Sequence, residues 1–273
     1  VSAEPDLRQV PIRPAATVML LRDGEGGPEV FMLRRAADAS FAGGAYVFPG
    51  GRVDDADRVD DLIRWCTGLD DAAASRQLGI DRGGLAYWVA AVRECFEEAG
   101  VLLARHPDGS PYQPVADERR AVHAGELSLA AMCARDDVRL DLGGIEYVAH
   151  WVTPVGERRR FDTRFFAARA PTDQEPVHDD AELVASEWIR PAQALARFAR
   201  HEALMLPPTL ACLRFVADHA DCDAAMVAAA AITDPPCILP RLRPMRSDGS
   251  WDVALPGDPD YDTLPESPER FSR

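Results

Sequence analysis

The sequence predicts an α/β fold, and three observations carry that prediction. Short apolar, β-branched runs read as strands, among them Ala16 to Leu21, Glu29 to Arg35 and Ile145 to Val152. Between them lie stretches with apolar residues at helical spacing, the clearest being Val89, Val92, Phe96 and Ala99. Glycine and proline punctuate the changes, with Gly100 as a left-handed helix stop.

The totals bound the function. A chain of 273 residues, 47% hydrophobic, can form one large domain, or a domain with additions, around a substantial core. A formal net charge of −15 argues against broad binding to nucleic acid or to an anionic membrane. An anionic small-molecule substrate would need metal ions and local arginine clusters. Cys66, Cys95, Cys133, Cys212, Cys222 and Cys237 form no C-x-x-C pair, so they read as reduced thiols in a cytoplasmic setting. No apolar run approaches ~18 residues, so no membrane span is expected. Ala15 to Leu21 stops at Arg22 with no small-residue cleavage site and reads as a strand, not a signal peptide. Phe271-Ser272-Arg273 does not match a Ser-Lys-Leu peroxisomal address.

Residues 1–14 read as a loose arm leading into the strand at Ala16 to Leu21. Asp23 to Pro28 is a hairpin loop, and Glu29 to Arg35 is its return strand. Residues 36–44 form a loop, and Ala45 to Phe48 is a short strand entering a double-glycine turn at Gly50-Gly51. Helical pieces follow at Asp61 to Trp65 and Asp70 to Leu78, with Gly79 and Gly83-Gly84 separating them from the helix that stops at Gly100. Residues 104–116 are a loop, and Glu118 to Arg135 is a helix pair. Ile145 to Val152 is a strand, Thr153 to Arg160 a basic loop, and the residues up to Ala167 a further strand. Glu187-Trp188-Ile189 is the last strand of the run. Pro191 then opens a helix at N1, and Leu210 to Ala220 and Ala224 to Ile232 are two more helices. Residues 234–273 hold eight prolines and are expected to be extended.

The chemistry centres on Arg93-Glu94-Cys95-Phe96-Glu97-Glu98-Ala99-Gly100-Val101. Residues three and four apart share a helix face, so Glu94, Glu97 and Glu98 project together and Arg93 can pair with Glu97. Close like charges are costly unless neutralised. A hard divalent cation, Mg²⁺ or Mn²⁺, is the usual partner of oxygen-only clusters. On the helix alone, an exposed acidic face in an acidic chain reads equally well.

Upstream stands Phe48-Pro49-Gly50-Gly51-Arg52-Val53. Together with Arg93-Glu-x-x-Glu-Glu-x-Gly100-Val101 it resembles the signature of the Nudix hydrolases, G-x5-E-x7-R-E-U-x-E-E-x-G-U, where U is bulky and apolar. Gly51 and Arg93 stand 42 positions apart where the pattern has 14, which leaves 28 extra residues. Counted from Gly51, the first glutamate position holds Asp57; counted back from Arg93, it holds Leu85. An interrupted box of this kind resembles the branch of coenzyme A diphosphatases, as do Arg159-Arg160-Phe161-Asp162-Thr163-Arg164-Phe165-Phe166 and Leu255-Pro256-Gly257-Asp258. The resemblance implies an α/β/α sandwich with a mixed sheet over about 12–202, a helical insertion over about 58–85, and a C-terminal extension over 203–273 packed on the domain. The insertion reads as a solvent-exposed decoration, a lid or a dimer surface.

The implied activity is Mg²⁺- or Mn²⁺-dependent hydrolysis of a nucleoside diphosphate linked to another group, with coenzyme A or an acyl-CoA as the favoured substrate. Glu97 and Glu98 are the first expected metal ligands. Glu94 is a further ligand or positions the water, Arg93 orients a glutamate, and a main-chain carbonyl at Gly50-Gly51 is a further candidate ligand. An extra carboxylate from a distant loop is assigned to Glu175, with Asp162 as alternative. Arg34, Arg35 and the Arg158, Arg159, Arg160 run are candidate phosphate contacts, since guanidinium suits phosphate oxygens bidentately. Phe161 and Tyr46 are candidates to stack on a base. His150, His178 and His201 have no partner at metal spacing. Two rival readings remain: hydrolysis of another dinucleotide or an oxidised nucleotide, and a binding module that kept the fold without catalysis. The insertion and tail are candidate homodimer surfaces.

Overall fold

The computed structural model describes residues 7–39, 42–179, 183–244 and 252–266. The chain-end residues Phe271-Ser272-Arg273 and part of the proline-rich tail lie outside these. The elements run β1 (Ile12–Gly24), β2 (Gly27–Arg35), β3 (Tyr46–Val47), β4 (Gly50–Arg52), α1 (Asp60–Ile63), β5 (Cys66–Thr67), α2 (Asp71–Leu78) and α3 (Leu85–Ala99). They continue with β6 (Ala104–Arg105), α4 (Ala116–His123), α5 (Leu129–Asp136), β7 (Arg139–Asp141), β8 (Ile145–Val152), β9 (Arg160–Arg169) and β10 (Leu183–Ile189). The chain closes with α6 (Pro191–Ala199), α7 (Pro207–Ala217), α8 (Cys222–Ala230), β11 (Cys237–Ile238), β12 (Arg241–Leu242) and β13 (Val253–Ala254).

The main sheet runs β10-β2-β1-β9-β8-β11, with β3 beside β2 and β4 beside β1. It is mixed, because β1 runs parallel to β9 and β8 parallel to β11 while the other pairs are antiparallel. Both faces are covered. Ala16, Val18, Leu20, Phe31, Leu33 and Phe166 pack against α3 on one side. Met19, Leu21, Val30, Met32, Phe165 and Ala167 pack against Leu210, Leu213 and Val216 of α7 and Ala225 and Ala229 of α8 on the other. Period-two side-chain alternation sends successive residues of β1 into opposite cores. A strand buried on both faces reads as an unbroken apolar run, as Val18 to Leu21 does. The result is an α/β/α sandwich.

Helix α3 is the spine of the first layer. Trp88, Val89, Ala91, Val92, Cys95 and Phe96 are fully buried, and the Trp88 indole N–H donates to the Ile145 carbonyl at 2.8 Å. The helix ends at Gly100, whose φ of 72° is a conformation that only glycine adopts without strain. Its N-terminus lacks a cap of its own, since Gly84 has no side chain. The insertion supplies one: Asp71 accepts from the N–H groups of Gly83 and Leu85, each at 3.0 Å, and Ser75 Oγ accepts from Gly84 N–H at 2.9 Å. Ala74 and Leu78 of α2 are buried in the same core. The inserted residues are therefore not a solvent-exposed decoration.

Two expectations change in detail. The double glycine is a strand, not only a turn, because Gly50 and Gly51 pair with Thr17 and Ala16 of β1. A small sheet, β5-β7-β6, ties the insertion to the segment after α3. Beyond α8, Arg243 donates to Asp252, Asp258 and Asp260 at 2.8 to 2.9 Å and staples the β12–β13 hairpin, while Leu255 packs on the second core.

Candidate active site

The C-terminal half of α3 meets β4 edge-on, which brings the two separated sequence motifs together. Gly50 N–H donates to Glu98 Oε2 at 2.9 Å. A Cβ placed on Gly51 would stand 2.4 to 2.6 Å from the Glu94 carboxylate, so glycine lets the strand come this close with that carboxylate in place. Arg93 holds the arrangement. Its Nε and Nη2 donate to Asp57 Oδ1 and Oδ2 at 2.8 and 2.9 Å, its Nη1 to Glu94 Oε1 at 2.7 Å, and its Nη2 also to the Arg52 carbonyl at 2.8 Å. Glu97 Oε1 lies 3.5 Å from Arg93 Nη1, and Glu97 Oε2 lies 3.5 Å from His123 Nδ1 of α4. Asp57, the position counted forward from Gly51, is fully buried. It is the carboxylate partner of Arg93, whereas Leu85 lies in the core at the start of α3.

The electrostatics follow from this packing. Burial pushes the Glu94 carboxyl up to about 7, with Arg93 pulling the other way and Glu97 adding to the rise. Glu98 is raised well above its ordinary value, first by burial and then by Glu94, against the Gly50 N–H bond and the charge of Arg35. Burial opposes the charge on Arg93, but Asp57 and Glu94 more than compensate and raise its pKa. The Glu94 and Glu98 carboxylates are thus held at a free-energy cost that a cation would relieve. An open acidic face, one of the two readings of the helix alone, is not what the structure has: the carboxylates are tucked into a cleft, where the side chains of Glu94 and Glu97 are only 13% and 14% exposed.

This cleft is one end of a cavity of about 1050 Å³. Its lining includes Glu94, Glu97 and Glu98, and also Arg35, Arg158, Arg159, Arg160 and Phe161. Arg34 is exposed on β2 beside the Tyr46 ring, and neither lines the cavity. Glu175, the expected distant-loop carboxylate, is exposed and outside the lining. Asp179, four residues on, lines the cavity instead, and its charge is felt by Glu98. No sequence signal marked it over its acidic neighbours. Asp162 is also elsewhere: it accepts from His150 Nε2 at 2.6 Å and lies 3.3 Å from Arg164 Nε. Burial alone would raise its carboxyl, but His150 and Arg164 hold it below its ordinary value. Alternation along β9 separates the two roles, sending Phe161, Thr163 and Phe165 to the cavity. Arg164, on the opposite face, bonds the Tyr147 hydroxyl and the Leu78 carbonyl that ends α2. His178 pairs with Ser186, and His201 follows α6 in a left-handed conformation.

The NUDT19 Nudix domain family matches residues 74–215, which include α3 with its full set of charges. The chain belongs to the Nudix family. Among curated proteins it is similar to the human acyl-coenzyme A diphosphatase NUDT19, at 31% identity over 71% of this chain and 62% of that protein. The Gallus gallus protein of the same name is 29% identical over 72% of this chain and 65% of its own length. The chain thus spans somewhat under two thirds of these relatives. Among solved structures, a Nudix hydrolase from Alicyclobacillus acidocaldarius is 31% identical with a TM-score of 0.69, covering 80% of this chain and 97% of that one.

Nudix hydrolases generally use a divalent metal, and the donors here suit a hard cation: carboxylates only, two with raised pKa, beside a glycine strand that leaves room. Glu94, Glu97 and Glu98 are the residues that would hold it. Among the described residues, however, no group of three or more His, Cys, Asp and Glu side chains is gathered for a metal ion. Glu94 and Glu97 turn toward Arg93 and Glu98 toward Gly50. Among the described residues no helix is long and apolar enough to cross a membrane.

Proposed function

We propose that this chain hydrolyses the pyrophosphate of coenzyme A or an acyl-CoA, giving 3′,5′-ADP and phosphopantetheine or its acyl form, with Mg²⁺ or Mn²⁺. The observation that carries the reading is the meeting of Glu94, Glu97 and Glu98 with Gly50-Gly51 at one end of a cavity rimmed by arginines. Similarity to the acyl-coenzyme A diphosphatases of human and Gallus gallus supports the choice of substrate. When bound, the metal would supply Lewis acidity and a lowered water pKa. The protein's part is positioning. Asp57 fixes Arg93, and Arg93 fixes Glu94 and steadies Glu97. Water adds to one phosphorus, the bridging P–O bond breaks, and the two phosphate products separate. Arg35 sits beside Glu98 to offset phosphate charge near the carboxylates. Arg158 and Arg159, exposed at the cavity edge, are the donors for the 3′-phosphate of coenzyme A.

The test compares kcat/KM for coenzyme A and 3′-dephospho-coenzyme A, with chelator and then with Mg²⁺ or Mn²⁺ restored. Activity should vanish in chelator and return with either ion. Losing one charge-assisted contact costs about 1.5–3 kcal/mol, or roughly tenfold to a hundredfold. The wild type should prefer coenzyme A by that margin, and Arg158→Ala or Arg159→Ala should erode it. Full activity in excess chelator would reject the metal assignment. Faster cleavage of ADP-ribose or NADH than of coenzyme A would reject the substrate.

A further inference from the structure

The cavity is chemically graded along a direction set by strand order. Gly51 of β4 pairs with Ala16 of β1, Ala16 with Arg164 of β9, and Arg164 with His150 of β8. Three inter-strand steps of roughly 4.8 Å put the neighbouring Trp151 about 14 Å from the glycine strand. The carboxylates of α3 stand at the glycine end. At the other end the floor is Phe165 and Trp151, and the walls are Pro207 and Pro208 at the start of α7, with Pro240 and Val253 from the C-terminal segment. Trp151 and Phe165 are only 4% and 7% exposed, and the Trp151 indole N–H is buried with no hydrogen-bond partner.

Thr153, Thr163 and Thr209 also line the cavity and the Trp151 indole N–H is an open donor, but proline has no N–H to offer a base. The proline, valine and aromatic surfaces suit an apolar chain. On the chamber's outer side Arg243 ties together Asp252, Asp258 and Asp260, beside the strand β13 that carries Val253.

We infer that this far chamber receives the acyl end of an acyl-CoA, and that the C-terminal hairpin at Val253, with Pro208 opposite, sets the longest chain accepted. The inference rests on the coenzyme A reading, since it needs the pyrophosphate at the glycine end. A pantetheine arm reaching across the strands would deliver the thioester to Phe165 and Trp151. Each methylene entering the chamber then adds roughly a threefold to fourfold gain in kcat/KM until the wall is met.

The experiment measures kcat/KM for coenzyme A and for straight-chain acyl-CoAs from two to sixteen carbons, on the wild type, Val253→Trp and Pro208→Trp, each checked for folding by thermal melting. The expected wild-type profile climbs at least tenfold above free coenzyme A to a maximum and then falls. Either tryptophan should move that maximum to shorter chains by two carbons or more. If one variant fails to fold, the other still decides. A flat wild-type profile, or a maximum that neither folded variant moves, overturns the acyl-chamber assignment and leaves the diphosphatase reading intact. No cleavage of any coenzyme A species, with cleavage of another nucleoside diphosphate derivative, overturns both.

Discussion

Asp57→Asn tests whether the two halves of the interrupted motif are one unit. The wild-type carboxylate accepts two bonds from the Arg93 guanidinium, at 2.8 and 2.9 Å, and a third from the Asp54 N–H at 2.8 Å. Asparagine keeps one acceptor and turns an NH₂ group toward a cation. Charge-assisted bonds contribute about 1.5–3 kcal/mol each, and breaking a buried pair from one side costs about 3–5 kcal/mol. Arg93 retains Glu94 and the Arg52 carbonyl, so the lower part of that range, about 3 kcal/mol, is expected. Urea unfolding of the chelated protein reads this as a fall in midpoint at constant m-value. kcat should fall with it, because Glu94 is aimed by the same guanidinium. Adding Arg93→Met should recover part of the stability but none of the activity, since it removes the uncompensated charge. A loss below about 1 kcal/mol for Asp57→Asn alone would show that Arg93 does not depend on Asp57.

Three further outcomes follow from the same geometry. The Glu94 carboxyl, pushed by burial from 4.5 to about 7, binds its proton more tightly folded than unfolded. Its contribution to stability is therefore fully present below pH 4.5 and is lost as pH rises to about 7, a decline of about 3 kcal/mol. Urea midpoints of the chelated wild type between pH 5 and 8 should show this fall and Glu94→Gln should make it shallower, leaving the part due to buried Glu98, whereas parallel curves would refute it. Gly51→Ala should lower kcat at least tenfold with little change in melting temperature, because the new Cβ displaces the pinned Glu94 carboxylate. Wild-type kinetics in that variant would separate Glu94 from the chemistry. Asp71→Ala uncaps α3 and should cost about 1–2 kcal/mol in urea unfolding; no change would mean that the cap is made by water.

What was legible in the sequence was whatever repeats at a fixed period or is fixed by a special residue. The buried stripe of α3 and its stop at Gly100 follow from 3.6-residue spacing and a left-handed glycine. Strands β1, β2 and β8 followed from their apolar runs. The small sheet β5-β7-β6 did not, because strands of two or three residues carry no period. Asp57 was reachable by counting from Gly51, but only the fold showed that Arg93 comes back to meet it. Asp179 was not reachable: nothing local separates it from Glu175, and only the fold shows that Asp179 lines the cavity. Asp162 misleads for a related reason, since strand alternation turns it away from the residues on either side of it.

The extra 28 residues inside the motif would be expected to loosen the site they interrupt. Loop-closure entropy alone makes the cost small, since it grows only with the logarithm of length. The packing goes further. The insertion follows directly on Asp57, which is clamped by Arg93 of α3, and it ends where Asp71 and Ser75 take the first N–H groups of that same helix. Arg164 of β9 holds the Leu78 carbonyl in between. The segment is fastened to α3 at both ends and to the sheet in the middle. A helix that starts at glycine, with no side chain to cap it, depends on those contacts to begin where it does. The register of Glu94, Glu97 and Glu98 over Gly50-Gly51 is then set partly by the insertion. Removing residues 58–85 would leave Asp57 to face Arg93 but take away the N-cap, so restoring the shorter spacing is not expected to give a working site unless a new cap for α3 is supplied.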